Sequence, residues 1–239
     1  MATFRTSAAG GSTSGTGDRT ATLVPAVGDQ WVVVCFVSTN TNDAPTCSDN
    51  NGGTYDLVDT PRNVVISTIN HRLSVFVRDQ IHVNTTSTVV TVATGSNTSG
   101  IVHITAWTGI TRTGVSAIRS KGGQDNQAAA TPAPALNQAA LTGNPTIAIV
   151  GSADTLIGVP SGWTKRQETT FATPTIACQT ATRDSGFTGT TITFGDASST
   201  TFCSYALELD SSAEVAYVPG LPFTNQPRGR WELTDVTNY

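Results

Sequence analysis

Two of the commonest surface residues are almost missing from this chain. Among its 239 residues, Lys occurs only at Lys121 and Lys165, and Glu only at Glu168, Glu208, Glu214 and Glu232. Helices are built largely from Ala, Leu, Glu and Lys, so the shortage points away from a helical protein. It also limits the partners. The formal charge is −4, and the nearest basic pairs, Lys165-Arg166 and Arg228-Gly229-Arg230, are too sparse to track a phosphate backbone, so nucleic acid is not expected. No apolar run approaches the roughly 18 residues of a membrane-crossing helix. The opening MATFRTSAAGGSTSGTGDR has no apolar stretch of the kind that directs secretion, which predicts a protein made and used without export.

Reactive chemistry is equally thin. His71, His82 and His103 are the only histidines; none stands near a cysteine, and no pair has metal-ligand spacing. A lone strand histidine is expected to be a satisfied sheet residue, because acid–base work needs a partner to tune it. Cys35, Cys47, Cys178 and Cys203 lie far apart with no Cys-x-x-Cys. Three of them sit in apolar runs and read as buried hydrophobes. A Cys35–Cys203 disulfide stays open, since spacing does not decide it, and metal binding is the weakest of the three readings. No Gly-x-Ser-x-Gly elbow is present, and the tract AAGGSTSGTG (8–17) lacks the Lys and following helix of a phosphate loop. The loop TNTNDAPTCSDNNGG (39–53) offers Asp43, Asp49, Asn50 and Asn51 to calcium, but not at calcium-loop spacing, and is read as an Asx-rich hairpin turn. The expectation is no catalytic residue, no cofactor and no metal: not an enzyme.

What the chain has instead is threonine, roughly one residue in six and well above ordinary usage, together with valine and 22 Gly. Thr and Val suit a pleated, half-buried surface. The fold predicted is all-β. Its strands come in two matching series. The first runs WVVVCFVS (31–38), NGGTYDLV (51–58), RLSVFVRD (72–79), STVVTVATG (87–95) and GIVHITAWTGI (100–110). The second runs PTIAIVGSA (145–153), VPSGWTKRQ (159–167), IACQTATRD (176–184), GTTITFGDA (189–197) and TFCSYALELD (201–210). Three residue matches recur in the same order: Gly53-Thr54-Tyr55 with Ser161-Gly162-Trp163, Arg78-Asp79 with Arg183-Asp184, and Ala106 with Ala206. Short strands at this spacing with Gly, Asn and Pro between them make a sandwich or barrel. The prediction is therefore a jelly-roll-like β-sandwich over 17–210, built from pseudo-repeated halves at about 20–118 and 141–210. The halves either face each other as two sheets or interleave. The segment 119–140 is expected to be an exposed crossover, and residues 1–16 a flexible arm.

Both halves resemble a group of bacteriophage virion proteins. The likeness covers about residues 17–210 and lies in Gly28-Asp29, in Asp49-Asn50-Asn51-Gly52-Gly53-Thr54-Tyr55-Asp56-Leu57, and in Leu73-Ser74-Val75-Phe76. Gly162-Trp163-Thr164-Lys165-Arg166 repeats the turn in the second half. The first turn departs from the pattern by an extra Gly where Gly-Asn is usual. The resemblance implies a non-enzymatic structural protein of a phage particle, such as a capsid decoration (cement) protein or a tail component. Such a protein assembles in the host cytoplasm, binds the major capsid protein or other virion proteins through its sandwich and terminal arms, and is often a homotrimer. The alternative is a glycan-binding tail or spike module in which Trp107, Trp163 and Tyr55 stack on a sugar ring.

The ending stands outside the repeat. In residues 211–239, Pro219, Pro222 and Pro227 interrupt any ladder, which excludes a central strand. Yet Tyr217, Leu221, Phe223, Trp231, Leu233 and Tyr239, with Arg228 and Arg230 among them, have the aromatic and arginine character of interface anchors. These eight residues are the candidate partner-binding set, on a C-terminal arm that either reaches a neighbour or folds back on its own sandwich.

Overall fold

The computed structural model describes residues 2–13, 17–39, 45–95, 97–129, 131–152, 158–172, 175–195, 200–211, 223–225 and 231–233, the last two by their backbone. The chain is an all-β sandwich of two sheets, and each half of the sequence makes one of them. Of the two arrangements left open by the pattern, facing sheets is the one adopted. The first sheet holds β1 (Thr3–Ser12), β2 (Arg19–Leu23), β3 (Gln30–Thr39), β4 (Thr46–Asp49), β5 (Thr54–Leu57), β6 (Arg62–Ile66), β7 (Ile69–Arg78), β8 (Thr88–Ala93) and β9 (Asn97–Thr108). Its order is β1-β9-β3-β7-β5-β4-β8-β2, with β6 hairpinned onto β7. The second sheet holds β10 (Ile118–Ala129), β11 (Thr146–Ser152), β12 (Thr164–Ala172), β13 (Thr175–Arg183) and β14 (Thr200–Leu209) in the order β10-β14-β11-β13-β12.

The two orders are one order. Mapping β1, β3, β5, β7 and β9 onto β10, β11, β12, β13 and β14 turns β1-β9-β3-β7-β5 into β10-β14-β11-β13-β12. The correspondence continues beyond the sheet path. In the first half β2 pairs with β8. In the second, Leu136 N donates to Thr190 O at 2.8 Å, and Ile192 N and Phe194 N donate to Pro134 O and Pro132 O at 3.0 Å. The described part of that run, GTTITFG (189–195), thus lies where β8 does, but forms one isolated bridge, Ala135 to Thr191, instead of a full strand. Tyr55 pairs with Arg78, and Thr164 with Thr182, which sets Trp163 opposite Arg183, so the aromatic and arginine matches share one register. The alanine match does not. In that register Val77, Val32 and Thr105 correspond to Thr182, Ile147 and Leu207, which places Ala206 two residues away from Ala106.

Three apolar layers follow from the pleat. On β3, Val32, Val34 and Phe36 point between the sheets and meet Ile147, Ile149, Cys178, Cys203, Tyr205 and Leu207. Its alternate residues Trp31, Val33, Cys35 and Val37 face the other way, where β2, β4 and β8 curl over to cover them with Ala21, Cys47, Val90 and Val92. This two-sided demand is why WVVVCFV is apolar without alternation. In the second half Ala148, Val150 and Ala206 are covered instead by Leu136, Ala140, Ile192 and Phe194. Between the central strands of the two sheets, Phe36 lies on Gly151; a Cβ there would stand 2.6 Å from its ring.

Two expectations are corrected. Residues 3–12 are not an arm but β1, paired along β9 from Thr3–Thr108 to Ser12–Gly100. The crossover likewise contains β10, paired with β14, and Leu136 and Ala140 beyond it are buried. Both stretches are rich in Gly and Ala for a steric reason. A Cβ on Gly10 would overlap the Thr20 carbonyl, and one on Gly122 the Ala135 carbonyl, because in each half a following segment passes directly over the strand. Small residues were needed there, and they imitate a linker.

The sheet edges are closed against each other. On one side Ser7 Oγ donates to Arg166 O at 3.2 Å, Gln167 Nε2 donates to Ser7 Oγ at 2.8 Å, and the Arg166 guanidinium lies 3.7 Å from the Phe4 ring centroid. On the other side Asn63 N donates to Asp125 Oδ1 at 2.7 Å, and Lys121 Nζ donates to Val58 O. Edges covered in this way offer few unpaired backbone groups for strand addition. Beyond Ser211, β15 (Phe223–Asn225) and β16 (Trp231–Leu233) form a separate antiparallel ribbon. No helix among the described residues is long and apolar enough to cross a membrane.

Candidate functional site

The residue types that usually carry chemistry are held in structural roles here. All four cysteines are free and buried. Cys35 belongs to the curled layer of the first half and Cys203 to the layer between the sheets, so the two do not face each other. Burial pushes the Cys35 thiol up to about 12, and moves the thiols of Cys47, Cys178 and Cys203 upward as well. They remain protonated and unreactive.

Of the histidines, His103 reaches from β9 across the interior. Its Nδ1 is 3.0 Å from Thr180 Oγ1 and its Nε2 3.1 Å from Thr169 Oγ1, so it ties the first sheet to the second. His82 stacks on Trp31 with ring centroids 4.1 Å apart, and its backbone joins two loops through Gly28 N to His82 O and His82 N to Asp29 O. His71 Nδ1 bonds Ile69 O at 3.1 Å. Burial lowers all three, to about 3 for His103 and about 4 for His82. An unfolded histidine titrates near ~6.5, so below that pH the unfolded chain binds protons that the folded one refuses. The stabilisation is complete above pH ~6.5 and is lost as the pH falls toward the folded values. Urea unfolding across this range is expected to show stability dropping as the pH falls from about 6.5 to 4, with the slope reduced by about one proton in His103→Gln. An unchanged slope in that variant would contradict the assignment.

The Asx-rich turn is built around Asp49, whose side chain has no solvent exposure. Its Oδ1 accepts from Asn51 N and Gly53 N, each at 2.9 Å, and its Oδ2 accepts from Tyr55 OH and Arg78 Nε, each at 3.1 Å. Burial alone would raise this carboxyl, but the hydrogen bonds from Gly53, Arg78 and Asn51 outweigh it and hold the pKa below the ordinary value. Asn50 Oδ1 accepts from Val89 N, so the turn itself uses the oxygens of Asp49 and Asn50, and Asn51 Nδ2 donates to Thr88 Oγ1. Asp43 lies outside the described residues. The extra glycine also has its reason: Gly52 has φ +82°, and a Cβ on Gly53 would overlap the Asp49 carboxylate and the Arg78 guanidinium. The other quoted motif, Gly28-Asp29, works similarly. Buried Asp29 accepts from Arg5 Nε with both oxygens at 2.8 Å and from Ala26 N at 2.8 Å, anchoring β1 to the loop before β3.

The second half repeats the arginine without the carboxylate. Arg183 ends β13 as Arg78 ends β7. The turn beside it, Gly158 to Gly162, contains no acid and is closed by backbone bonds, Trp163 N to Pro160 O at 3.0 Å and Gly195 N to Gly158 O at 2.7 Å. Arg183 Nε donates to Ser185 O at 3.2 Å, and among the described residues its guanidinium has no acidic partner. It lines an open depression of about 380 Å³ with Thr164, Thr182, Ser185 and the Arg166–Asp184 pair, whose Nη2–Oδ1 distance is 2.9 Å.

The aromatic platform expected for sugar stacking is not formed by Trp107, Trp163 and Tyr55. Trp107 lies between the sheets, Tyr55 in the curled layer, and Trp163 edge-on to Phe187 at 5.5 Å; the most exposed of them shows 8% of its surface. These large rings were needed inside the three apolar layers. Of the eight arm residues, Phe223 pairs with Leu233 and Trp231 with Asn225 along the ribbon. Tyr217, Leu221, Arg228, Arg230 and Tyr239 lie outside the described residues. Comparison of the chain with protein-family models, with curated proteins and with solved structures finds no match in any of the three.

Proposed function

We propose that this chain is a non-enzymatic structural component of a bacteriophage particle, most simply a capsid decoration (cement) protein that grips the shell through its C-terminal arm. The observation that carries this reading is the division of the chain at Leu209. Both sheets are complete by that residue. Among the described residues, the stretch after it adds no strand to either sheet, yet its sequence holds Tyr217, Phe223, Trp231 and Tyr239, the residue types that dominate the energetics of protein interfaces. Among the described residues of this stretch, the backbone ladder is made within the stretch itself, Phe223–Asn225 against Trp231–Leu233. The resemblance of both halves to virion proteins, and the structural employment of the described histidines and cysteines, support the same reading. The partner class is the major capsid protein or another virion protein, with a trimer as the expected oligomer.

The reading predicts that the chain is present in purified particles at a copy number proportionate to the shell protein, and that added protein pellets with stripped particles. Quantitative mass spectrometry and co-sedimentation check it. A particle that lacks the chain, with purified protein left in the supernatant, would remove the proposal.

A further inference from the structure

We propose that the depression at Arg183 is a carboxylate-binding site, the place where the second half takes from outside the anion that the first half carries as Asp49. The chain supplies its own template. At the end of β7, Arg78 Nε is met by Asp49 Oδ2 at 3.1 Å, and the same carboxylate caps the turn through Gly53 N at 2.9 Å. Tyr55 stands opposite Arg78 in that ladder. The second half keeps the strand, the glycine turn, the aromatic at the position opposite the arginine, and the arginine, but its turn from Gly158 to Gly162 has no carboxylate.

Two glycines flank the guanidinium. Gly162, at φ +79°, would place a Cβ 3.4 Å from Arg183 Nη1, and Gly186, at φ +80°, would place one 3.4 Å from Arg183 Nη2. At each glycine Arg183 is the only neighbour within that reach among the described residues, whereas at Gly53 both the carboxylate and the arginine crowd in. The nearby Arg166 is already matched, its Nη2 to Asp184 Oδ1 and its Nε to Thr182 Oγ1 at 2.7 Å. A planar fork with one nitrogen held by Ser185 O, and with Gly162 and Gly186 beside the other two, suits a planar two-oxygen anion. The hydroxyls of Thr164 and Ser185 and the Asp184 carboxylate on the rim can bond the hydroxyl groups of a larger molecule. The shared chemistry is a carboxylate, whose source is either a small organic acid or a sugar acid.

The test titrates glucuronate, acetate, glucose and inorganic phosphate into the full chain, followed by backbone amide chemical shifts, with Arg183→Gln alongside. The expected result is saturable binding of glucuronate with Kd on the order of 1 mM, shifts centred on Gly162, Arg183 and Gly186, no response to glucose, and at least a tenfold weaker affinity in Arg183→Gln. Glucuronate binding several-fold tighter than acetate assigns the site to a sugar acid; equal binding assigns it to a bare carboxylate, and either upholds it. Absence of saturable binding, binding retained in Arg183→Gln, or phosphate binding as tightly as the carboxylates overturns it. The half-exposed position of Arg183 leaves the fold intact in the variant, which an unchanged thermal melt verifies.

Discussion

Asp49→Ala is expected to destabilise the protein by about 3–5 kcal/mol, the cost of leaving a buried charge without its partner. The Arg78 side chain is only 6% exposed, so water does not replace the lost carboxylate. Three further donors would be orphaned at once: Asn51 N, Gly53 N and Tyr55 OH. Each buried orphan adds its own desolvation cost. The damage should be recoverable by removing the second charge. In Asp49→Leu combined with Arg78→Met, a good part of the loss is expected to return, because well-packed apolar groups replace a buried ion pair at little cost. Urea unfolding of the single and double variants measures both steps. A loss below about 1 kcal/mol in Asp49→Ala would show that the pair contributes no more than a surface salt bridge. The matching position in the other half behaves differently: Arg183→Gln is expected to stay within about 0.5 kcal/mol of the parent, as surface changes do. One arginine is a structural member of its turn; its counterpart is not.

The main strands of both halves were legible because β3, β7, β9, β11, β13 and β14 combine apolar and β-branched residues between turn signals; their order in the sheets was not. β1 and β10 were not legible. Their Gly10 and Gly122 answer a close backbone crossing that exists only in the tertiary structure, and in sequence a Gly-Ala tract reads as linker. The alanine match between the halves misled for a related reason: Ala106 and Ala206 both fill outer layers, but different ones, two residues apart in register. The buried aromatics show a limit of composition. Tyr55 and Trp163 follow glycine turns that look exposed, and only the covering segments bury them. Asp49 was named in the sequence only as one of four oxygen-bearing residues of an Asx-rich turn, and its partner Arg78 entered only as half of a repeat match. That the turn Gly158 to Gly162 holds no acid can be read from the sequence, but its relation to Arg183 required the ladder that sets Trp163 opposite the end of β13.

Deleting residues 219–239 is expected to leave the sandwich intact and to abolish attachment. The sandwich ladders end at Leu209, and the chain is tied off just beyond, where Ser211 Oγ donates to Asn144 Oδ1 at 2.7 Å and Asp210 N donates to Ala117 O at 2.8 Å. Glu208 fixes the same corner from inside, accepting from Asn144 Nδ2 at 2.7 Å and Leu141 N at 2.9 Å and pairing with Arg119. Among the described residues, no ladder of either sheet includes a residue beyond Leu209. Their aromatic side chains are the ones assigned to the partner, and hot-spot residues of this type commonly cost 2 kcal/mol or more each when removed. Losing several should lower particle affinity by at least 100-fold, since each 1.4 kcal/mol is a factor of about ten. The most direct measurement is a co-sedimentation titration of full-length and truncated protein against the same stripped particles, with circular dichroism melts of both. The account predicts superimposable melts with particle binding only by the full-length chain; a truncated protein that is folded and binds equally well would contradict it.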